Sequence, residues 1–144
     1  MSESGYLPDV NVLIALSDPE HMGHSAATRW HRNGADARFL LCSMTEAGFV
    51  RLAASPTVGG RKMSEAFELL REIRELPHVE DLAMNGSLLE LVSPFASRLQ
   101  GYRQITDALL LGLAIQSGAI LVTLDRRIEA LAGSEFRKHL LTLQ

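Results

Sequence analysis

The sequence has little cysteine, no excess of positive charge and no long uncharged apolar run. Its single cysteine, Cys42, has no partner for a disulfide or a cysteine-based zinc site, and its apolar neighbours indicate a buried strand thiol. A formal net charge of −3 gives no general attraction to nucleic acid. Any nucleic-acid partner must therefore be held by local basic groups or by bound cations.

Other absences narrow the class of protein. No segment approaches the ~20 apolar residues of a membrane span, and the N-terminal stretch MSESGYLPDV has no basic region followed by an apolar one. Repeats, low-complexity segments and linkers are also missing. With 47% hydrophobic and 22% charged residues the composition is ordinary for a globular protein. We therefore expect a cytoplasmic protein with one domain over residues 1–144.

Short apolar segments alternate with segments of helical periodicity. Strands are predicted at 6–9, 37–43, 78–83, 119–125 and 139–144. Helices are predicted at 10–16, 24–33, 44–55, 63–76, part of 87–99, and 105–118, with a helical turn at 126–131. This alternation predicts an α/β fold, an α/β/α sandwich with a central, mostly parallel sheet of four to five strands.

Four acidic residues interrupt apolar or small-residue stretches. Asp9 and Asp125 end predicted strands, whereas Glu46 and Asp107 lie near the starts of predicted helices. In a parallel sheet the strand ends and the following helix starts share one edge, so the four carboxylates can converge there. Helix capping by Asp107 and turn formation by Asp9 or Asp125 are alternatives that the spacing leaves open.

A shared site would have a definite chemistry. Two unit charges ~4 Å apart repel by about 4 kcal/mol at an effective dielectric constant of about 20, so such a cluster must bind protons or cations. Oxygen-only ligands favour Mg²⁺ or Mn²⁺ over zinc, and phosphodiester hydrolysis is the natural reaction. Asn11 and Thr123 could orient the carboxylates, although turn formation and strand propensity explain them about equally well.

Four segments resemble the acidic motifs of the PIN-domain nucleases, and the resemblance extends over nearly the whole chain. The segments are PDVNVLIAL, TEAGFVRL, QITDALLLGLA and ILVTLDRRIEAL. Any one of them is weak evidence, but four in the family's order are strong evidence. The sequence is most similar to the VapC-type toxins of bacterial toxin-antitoxin pairs, whose DxN and TxD motifs are present as DVN and TLD.

The resemblance implies an activity, partners and site residues. It implies a metal-dependent endoribonuclease that uses Mg²⁺ or Mn²⁺, leaves a 5′-phosphate and a 3′-hydroxyl, forms homodimers and is inhibited by a cognate antitoxin. The implied catalytic, metal-binding acids are Asp9, Glu46, Asp107 and Asp125, and the implied supporting residues are Asn11 and Thr123. One departure is Ile128, where many relatives have an aromatic residue; we expect it to affect packing more than chemistry.

Basic residues accompany three of the acidic segments. Arg51 follows Glu46, Arg103 precedes Asp107, and Arg126 follows Asp125 directly. Scattered surface arginines are the default interpretation, but this placement favours contact with an RNA backbone. His21 and His24 have a spacing that metal ligands use, yet no nearby cysteine or third histidine completes such a site, so a structural role is favoured.

Two rival functions need consideration. A dehalogenase-like phosphatase would need an aspartate at Asn11, and a response-regulator receiver would need a lysine late in the chain near the site. The only lysines are Lys62 and Lys138, so neither rival fits well. The alternative that stays open is a catalytically inactive PIN-like module that binds RNA or a protein, which metal-dependent cleavage would exclude.

Overall fold

The computed structural model describes residues 5–144. Residues 1–4 lie outside the described residues. The predicted start of the domain and the N-terminal stretch in which no leader is predicted both include them. The centre of the fold is a sheet of order β3-β2-β1-β4-β5 in which every strand pair is parallel. Its strands are β1 (Gly5–Pro8), β2 (Arg38–Leu41), β3 (Val79–Asp81), β4 (Ile120–Thr123) and β5 (Leu140–Thr142). The predicted sheet is confirmed.

Helices cover both faces of this sheet. They are α1 (Val10–Ser17), α2 (His24–Asn33), α3 (Ser43–Ala54), α4 (Met63–Arg74), α5 (Leu88–Val92), α6 (Ile105–Ser117) and α7 (Ile128–Ala132). Along β2, Phe39 and Leu41 pack with α1, α3 and α4, whereas Leu40 packs with α5, α6 and α7. A strand buried on both faces in this way is typical of a parallel sheet, and it confirms the predicted α/β/α sandwich.

The predicted helix within 87–99 is shorter than its pattern suggests. Helix α5 ends at Val92, and a 3-10 helix takes over from Ser93 to Arg98. Pro94 lies at the start of that segment, where its ring removes a backbone donor and prevents α5 from continuing. A second 3-10 segment, Tyr102–Gln104, leads directly into α6. Within residues 5–144, no helix combines the length and apolar character needed to cross a bilayer.

Helix α6 approaches α5 closely at Gly112. This glycine is buried, and a Cβ atom at its position would overlap the backbone carbonyl of Leu91. The close contact brings α5 onto α6, the helix that begins with the Asp107 segment. A side chain at residue 112 would therefore disturb the packing that supports this part of the fold.

We expect Gly112→Ala to destabilise the protein by about 1–3 kcal/mol, because backbone has to move to relieve the overlap. Urea denaturation measures the change. Gly34→Ala is the matched control, since its nearest new contact is the Trp30 carbonyl at 3.6 Å and its φ is −109°. We expect the control to change stability by less than about 0.5 kcal/mol. Equal stabilities of the two variants would contradict the packing argument.

Candidate active site

Asp9 lies directly at the junction of β1 and α1. Its backbone N–H donates to the carbonyl of Val122 at 2.9 Å, which extends the pairing of β1 with β4 by one residue. Its side-chain Oδ1 accepts the backbone N–H of Val12 at 3.0 Å, so Asp9 is the N-cap of α1. The alternative that the sequence leaves open for Asp9 is turn formation, and the structure instead gives it a capping role; the capping considered for Asp107 is not observed, since Gln104 is the N-cap of α6. Capping uses one carboxylate oxygen and leaves the other for a second role.

Thr123 connects the ends of the two central strands. Its side chain is fully buried, and its hydroxyl hydrogen-bonds the Asp9 carboxylate. The same hydroxyl accepts the backbone N–H of Asp125 at 3.0 Å. Thr123 therefore contacts both the Asp9 side chain and the Asp125 backbone, and its supporting role in the site stays a prediction.

Three of the predicted acids influence one another electrostatically. Burial raises the pKa of Asp9 to about 6 despite its hydrogen bonds to Thr123 and Val12, and the charges of Asp107 and Asp125 add to the rise. Burial also raises the pKa of Asp107, again with a contribution from Asp125. Of the four acids predicted to converge, the structure thus brings Asp9, Asp107 and Asp125 into one acidic group.

Arg127 neutralises the third member of this group. Its Nε and Nη2 donate to the Asp125 carboxylate at 3.0 and 2.9 Å, and its backbone N–H donates to Oδ1 at 2.9 Å. The hydrogen-bonded guanidinium lowers the pKa of Asp125 below its ordinary range. The Arg127 side chain is nevertheless 89% exposed, so this ion pair lies at the open side of the site.

Glu46 has different neighbours. It lies in the first turn of α3, and its Oε2 accepts Nη1 of Arg74 at 2.7 Å. Arg74 also contacts Asp81 at the end of β3. Glu46 lines a groove of about 660 Å³ between α3 and α4, whereas Asp107 and Asp125 line a separate cavity of about 420 Å³. The structure therefore groups three of the four acids and leaves the fourth paired with arginine.

The cavity beside Asp107 and Asp125 has a mixed wall. The segment Tyr102–Gln104, Arg127 and the apolar side chain of Leu131 complete it. The Tyr102 ring is 81% exposed, and the Arg103 guanidinium lies 5.7 Å from its centre. Carboxylates, cations and an aromatic face thus surround one opening.

The other predicted residues differ in how near they lie to this cavity. Arg103 lines it, and Arg51 lines the groove beside Glu46. Arg126 is exposed, but its neighbour Arg127 is the arginine that contacts Asp125. Asn11 is exposed on α1, and its side chain has no hydrogen-bond partner within residues 5–144, so its supporting role stays a prediction.

The two histidines bind backbone groups. Nδ1 of His21 accepts the N–H of Gly23 at 2.8 Å, and Nδ1 of His24 lies 2.7 Å from the carbonyl of Ala15. These contacts order the loop between α1 and α2, in agreement with the structural role that the sequence favours. Cys42 is buried, as predicted, but it follows the end of β2 as the N-cap residue of α3 and is not a strand residue.

Within the described residues, no group of three or more His, Cys, Asp or Glu side chains is arranged so that it could hold a metal ion. Two of the four predicted acids are engaged by arginine, since Arg127 contacts both oxygens of Asp125 and Arg74 contacts Glu46. The donor set is made of carboxylate oxygens, which suit hard divalent cations. Two of the four carboxylates would have to release or share an arginine to bind one.

Sequence reasoning missed Arg74 of α4, which contacts Glu46, and Asp81 of β3, which contacts Arg74. Asp81 lies inside the predicted strand 78–83, and only the structure shows that the strand ends at this residue, as strands do near Asp9 and Asp125. Arg74 had no signal in the sequence, since it lies among exposed charged residues at the end of an amphipathic helix.

The family model of the PIN domain matches residues 6–134. This match covers most of the chain and includes all four predicted acids. The chain belongs to the PIN-domain family. The resemblance found in the sequence is therefore confirmed, and it covers the strands and helices that form the acidic edge.

Curated relatives place this PIN domain near the VapC proteins. It is 37% identical to Ribonuclease VapC38 of Mycobacterium tuberculosis over 128 residues, covering 88% of this chain and 89% of the relative. It is 34% identical to Ribonuclease VapC44 of the same species over 140 residues, covering 95% and 98%. A third relative, Ribonuclease VapC39, is 33% identical over 125 residues, covering 83% and 87%.

Solved structures share the fold of this PIN domain at low sequence identity. The crystal structure of VapBC2 from Rickettsia felis bound to a promoter DNA fragment matches with a TM-score of 0.68 and 13% identity, covering 96% of this chain and 98% of the other. The structure of Mycobacterium tuberculosis VapC20, a toxin that cleaves the sarcin-ricin loop, matches with a TM-score of 0.56 and 16% identity, covering 80% and 85%.

We expect Asp9→Asn to gain stability relative to wild type as the pH rises, when a chelator is present. The folded Asp9 has a pKa of about 6, against an ordinary value of 3.8. Between these values the folded state keeps a proton that the unfolded state loses, so wild-type stability falls as pH rises. Asparagine does not titrate and still caps α1.

The expected gain between pH 4 and pH 7.5 is about 3 kcal/mol at most, measured by urea denaturation at both pH values. Asp36→Asn makes the same chemical change at an exposed turn position and is the matched control. A change in stability with pH for Asp9→Asn that does not exceed that of the control would contradict the raised pKa.

Proposed function

We propose that this PIN domain is a metal-dependent endoribonuclease toxin of the cytoplasm, neutralised by a cognate antitoxin. One observation carries the proposal: Asp9, Asp107 and Asp125 form one acidic group at the carboxyl edge of the sheet. Carboxylates without bound cations repel the phosphates of RNA. With divalent cations they can bind RNA, because the cations then bridge the acids to phosphate oxygens. The ribonuclease names of the VapC relatives support this assignment.

The residues that would hold the cation are Asp9, Glu46, Asp107 and Asp125. All of their donor atoms are carboxylate oxygens, which favours Mg²⁺ or Mn²⁺ over zinc. A bound cation would supply Lewis acidity toward water and toward phosphate oxygens. The raised pKa values of Asp9 and Asp107 support a cation here, since a nearby positive charge favours the ionised carboxylates.

The residues around the cavity would bind and orient RNA. Arg103 and Arg127 are exposed cations at its wall, suited to phosphate oxygens. The exposed ring of Tyr102 offers a face on which a base could stack. Arg51 and Arg126 are exposed farther along the surface and would contact the flanking backbone, which fixes register without reading sequence. Thr123 and Asn11 would keep the acids oriented.

The proposed protein partners are an antitoxin and a second copy of the chain. The antitoxin would cover the cavity beside Asp107 and Asp125 and so exclude RNA. The Rickettsia felis relative was solved as a VapBC assembly, which supports a partner of this kind. A homodimer is proposed because Met63 and Phe67 are about half exposed beside the groove of α3 and α4, where contact with another surface would bury them.

Purified full-length protein is expected to cut total cellular RNA into discrete fragments with Mg²⁺ or Mn²⁺, and to cut none with a chelator. Asp9→Asn and Asp107→Asn each remove a ligand charge, so cleavage should fall by more than the 10- to 100-fold typical of losing an outer partner of a metal ligand. Gel analysis of the RNA, followed by sequencing of fragment ends, measures the effect and identifies the target.

Asp36→Asn is the matched control, because it makes the same chemical change at an exposed position outside the site. It should cleave like wild type. Fragments that persist in chelator would contradict the metal dependence. RNA that binds without being cut under any condition would favour the inactive binding module instead.

Arg103→Ala should weaken RNA binding with little dependence on sequence. Losing one phosphate contact on single-stranded RNA is expected to reduce the slope of log affinity against log salt by roughly 0.7. Binding is measured by fluorescence anisotropy from 50 to 300 mM salt, in an Asp107→Asn background so that RNA stays intact. Arg32→Ala, at an exposed position of α2, is the control. An unchanged salt slope for Arg103→Ala would exclude its phosphate contact.

A further inference from the structure

Arg74 lies between two carboxylates that come from different parts of the fold. It is the last residue of α4. Its Nη1 donates to Oε2 of Glu46 at 2.7 Å and to Oδ1 of Asp81 at 2.9 Å, while Nη2 donates to Oδ2 of Asp81 at 3.0 Å. The guanidinium thus forms a two-bond fork with Asp81 and gives one further bond to Glu46.

Asp81 acts as the anchor of this arrangement. It ends β3, which pairs with β2, and β2 leads into the helix that carries Glu46. Both carboxylates therefore reach Arg74 from the carboxyl edge of the sheet. The Arg74 guanidinium lowers the pKa of Asp81, so the anchor stays charged. Asp81 accepts hydrogen bonds from two N–H groups of Arg74. The orientation of the guanidinium, and with it the direction of its bond to Glu46, therefore depends on β3 as well as on α4.

The hydrogen bond to Arg74 occupies only one of the two carboxylate oxygens of Glu46. Only Oε2 contacts Arg74, and in the described part of the chain no donor contacts Oε1. The Glu46 side chain is 21% exposed, less than that of Arg74 at 38%. Fixing one oxygen of a carboxylate restricts the rotation of the group and directs the other oxygen, which is how outer partners orient metal ligands.

The second arginine of the site is held differently. Arg127 engages both oxygens of Asp125, lies two residues away in sequence, and is 89% exposed; Asp107 influences it electrostatically, but in residues 5–144 only Asp125 among the acids hydrogen-bonds it. Arg127 therefore competes with any cation for Asp125 and can move away into solvent. Arg74, held by Asp81, does not depend on Glu46 alone and can stay in place when Glu46 takes a further partner.

We propose that Arg74 is a positioning residue for metal binding: anchored on Asp81, it holds Oε2 of Glu46 and presents Oε1 to the divalent cation. The inference rests on the proposed metal-dependent function. It assigns roles to two residues, Arg74 and Asp81, that lie outside the four acids.

Two effects of Arg74 on a bound cation have opposite signs. Its positive charge repels the cation, so a purely electrostatic role predicts tighter metal binding when Arg74 is removed. Its hydrogen bond orients Glu46, so a positioning role predicts weaker binding when Arg74 is removed. The direction of the change in affinity therefore distinguishes the two roles.

Mn²⁺ binding to the full-length protein, measured by isothermal titration calorimetry, tests the proposal. Arg74→Met should weaken Mn²⁺ binding by roughly tenfold. Arg74→Lys should not restore it, since an ammonium group cannot form the fork with Asp81 while also contacting Glu46. Asp81→Asn should weaken Mn²⁺ binding by less, because Arg74 keeps its bond to Glu46 but loses a charged anchor. Thermal melting in chelator verifies that each variant is folded.

Two arginine variants serve as matched controls. Arg71→Met makes the same change on the same helix, where Arg71 pairs with the exposed Glu68 at 3.0 Å, and should leave Mn²⁺ affinity unchanged. Arg127→Met removes a competitor for Asp125 and should tighten Mn²⁺ binding. Unchanged or tighter binding by Arg74→Met would overturn the proposal, and if that variant does not fold, unchanged binding by Asp81→Asn would do so.

Two further results separate this proposal from others. Wild-type protein that binds no Mn²⁺ would overturn the proposed metal-dependent function, and this inference with it, whereas normal wild-type binding with an unaffected Arg74→Met overturns this inference alone. In RNA cleavage at saturating Mn²⁺, a positioning role lowers kcat with little change in KM for RNA. A salt-dependent rise in KM without a change in Mn²⁺ affinity would show that Arg74 contacts RNA instead.

Discussion

The buried hydroxyl of Thr123 is the contact on which the acidic edge depends. It joins the Asp9 carboxylate at the end of β1 to the backbone of Asp125 just beyond β4. Because these two strands are neighbours at the centre of the sheet, their following residues cannot separate without breaking sheet pairing. Like charges are thus confined by the backbone, and the other features of the site follow from the need to compensate them.

The chain compensates these charges in three ways. Asp9 and Asp107 hold protons more strongly than exposed aspartates do, because burial disfavours their charged forms. Asp125 receives a local, solvent-exposed arginine. Glu46 receives an arginine that is itself anchored to the sheet. The two arginines differ in how they are held, because Arg74 hydrogen-bonds Asp81 as well as Glu46, whereas Arg127 hydrogen-bonds only Asp125 among the acids of residues 5–144.

Much of the fold could be predicted because local pattern and tertiary environment agree. The run around Asp9 is apolar except where the strand ends, and the helix 24–33 was predicted with the bounds that the structure has. Pro94 ended α5 earlier than the apolar pattern suggested, since backbone chemistry overrides periodicity. The partner of Glu46 could not be predicted, because Arg74 lies 28 residues farther along the chain, and its second partner Asp81 comes close only when β3 pairs with β2. Likewise, only the turn after Asp125 determines that Arg127 rather than Arg126 folds back onto it.

The pairing of β1 with β4 also has a consequence for biosynthesis. These central neighbours come from opposite ends of the sequence, so a nascent chain that stops before β4 lacks the partner of its first strand, the hydroxyl of Thr123 and the carboxylate of Asp125. Such a chain cannot assemble the acidic group. For a protein proposed to cleave RNA, the acidic group therefore forms only after translation has passed β4 and Asp125.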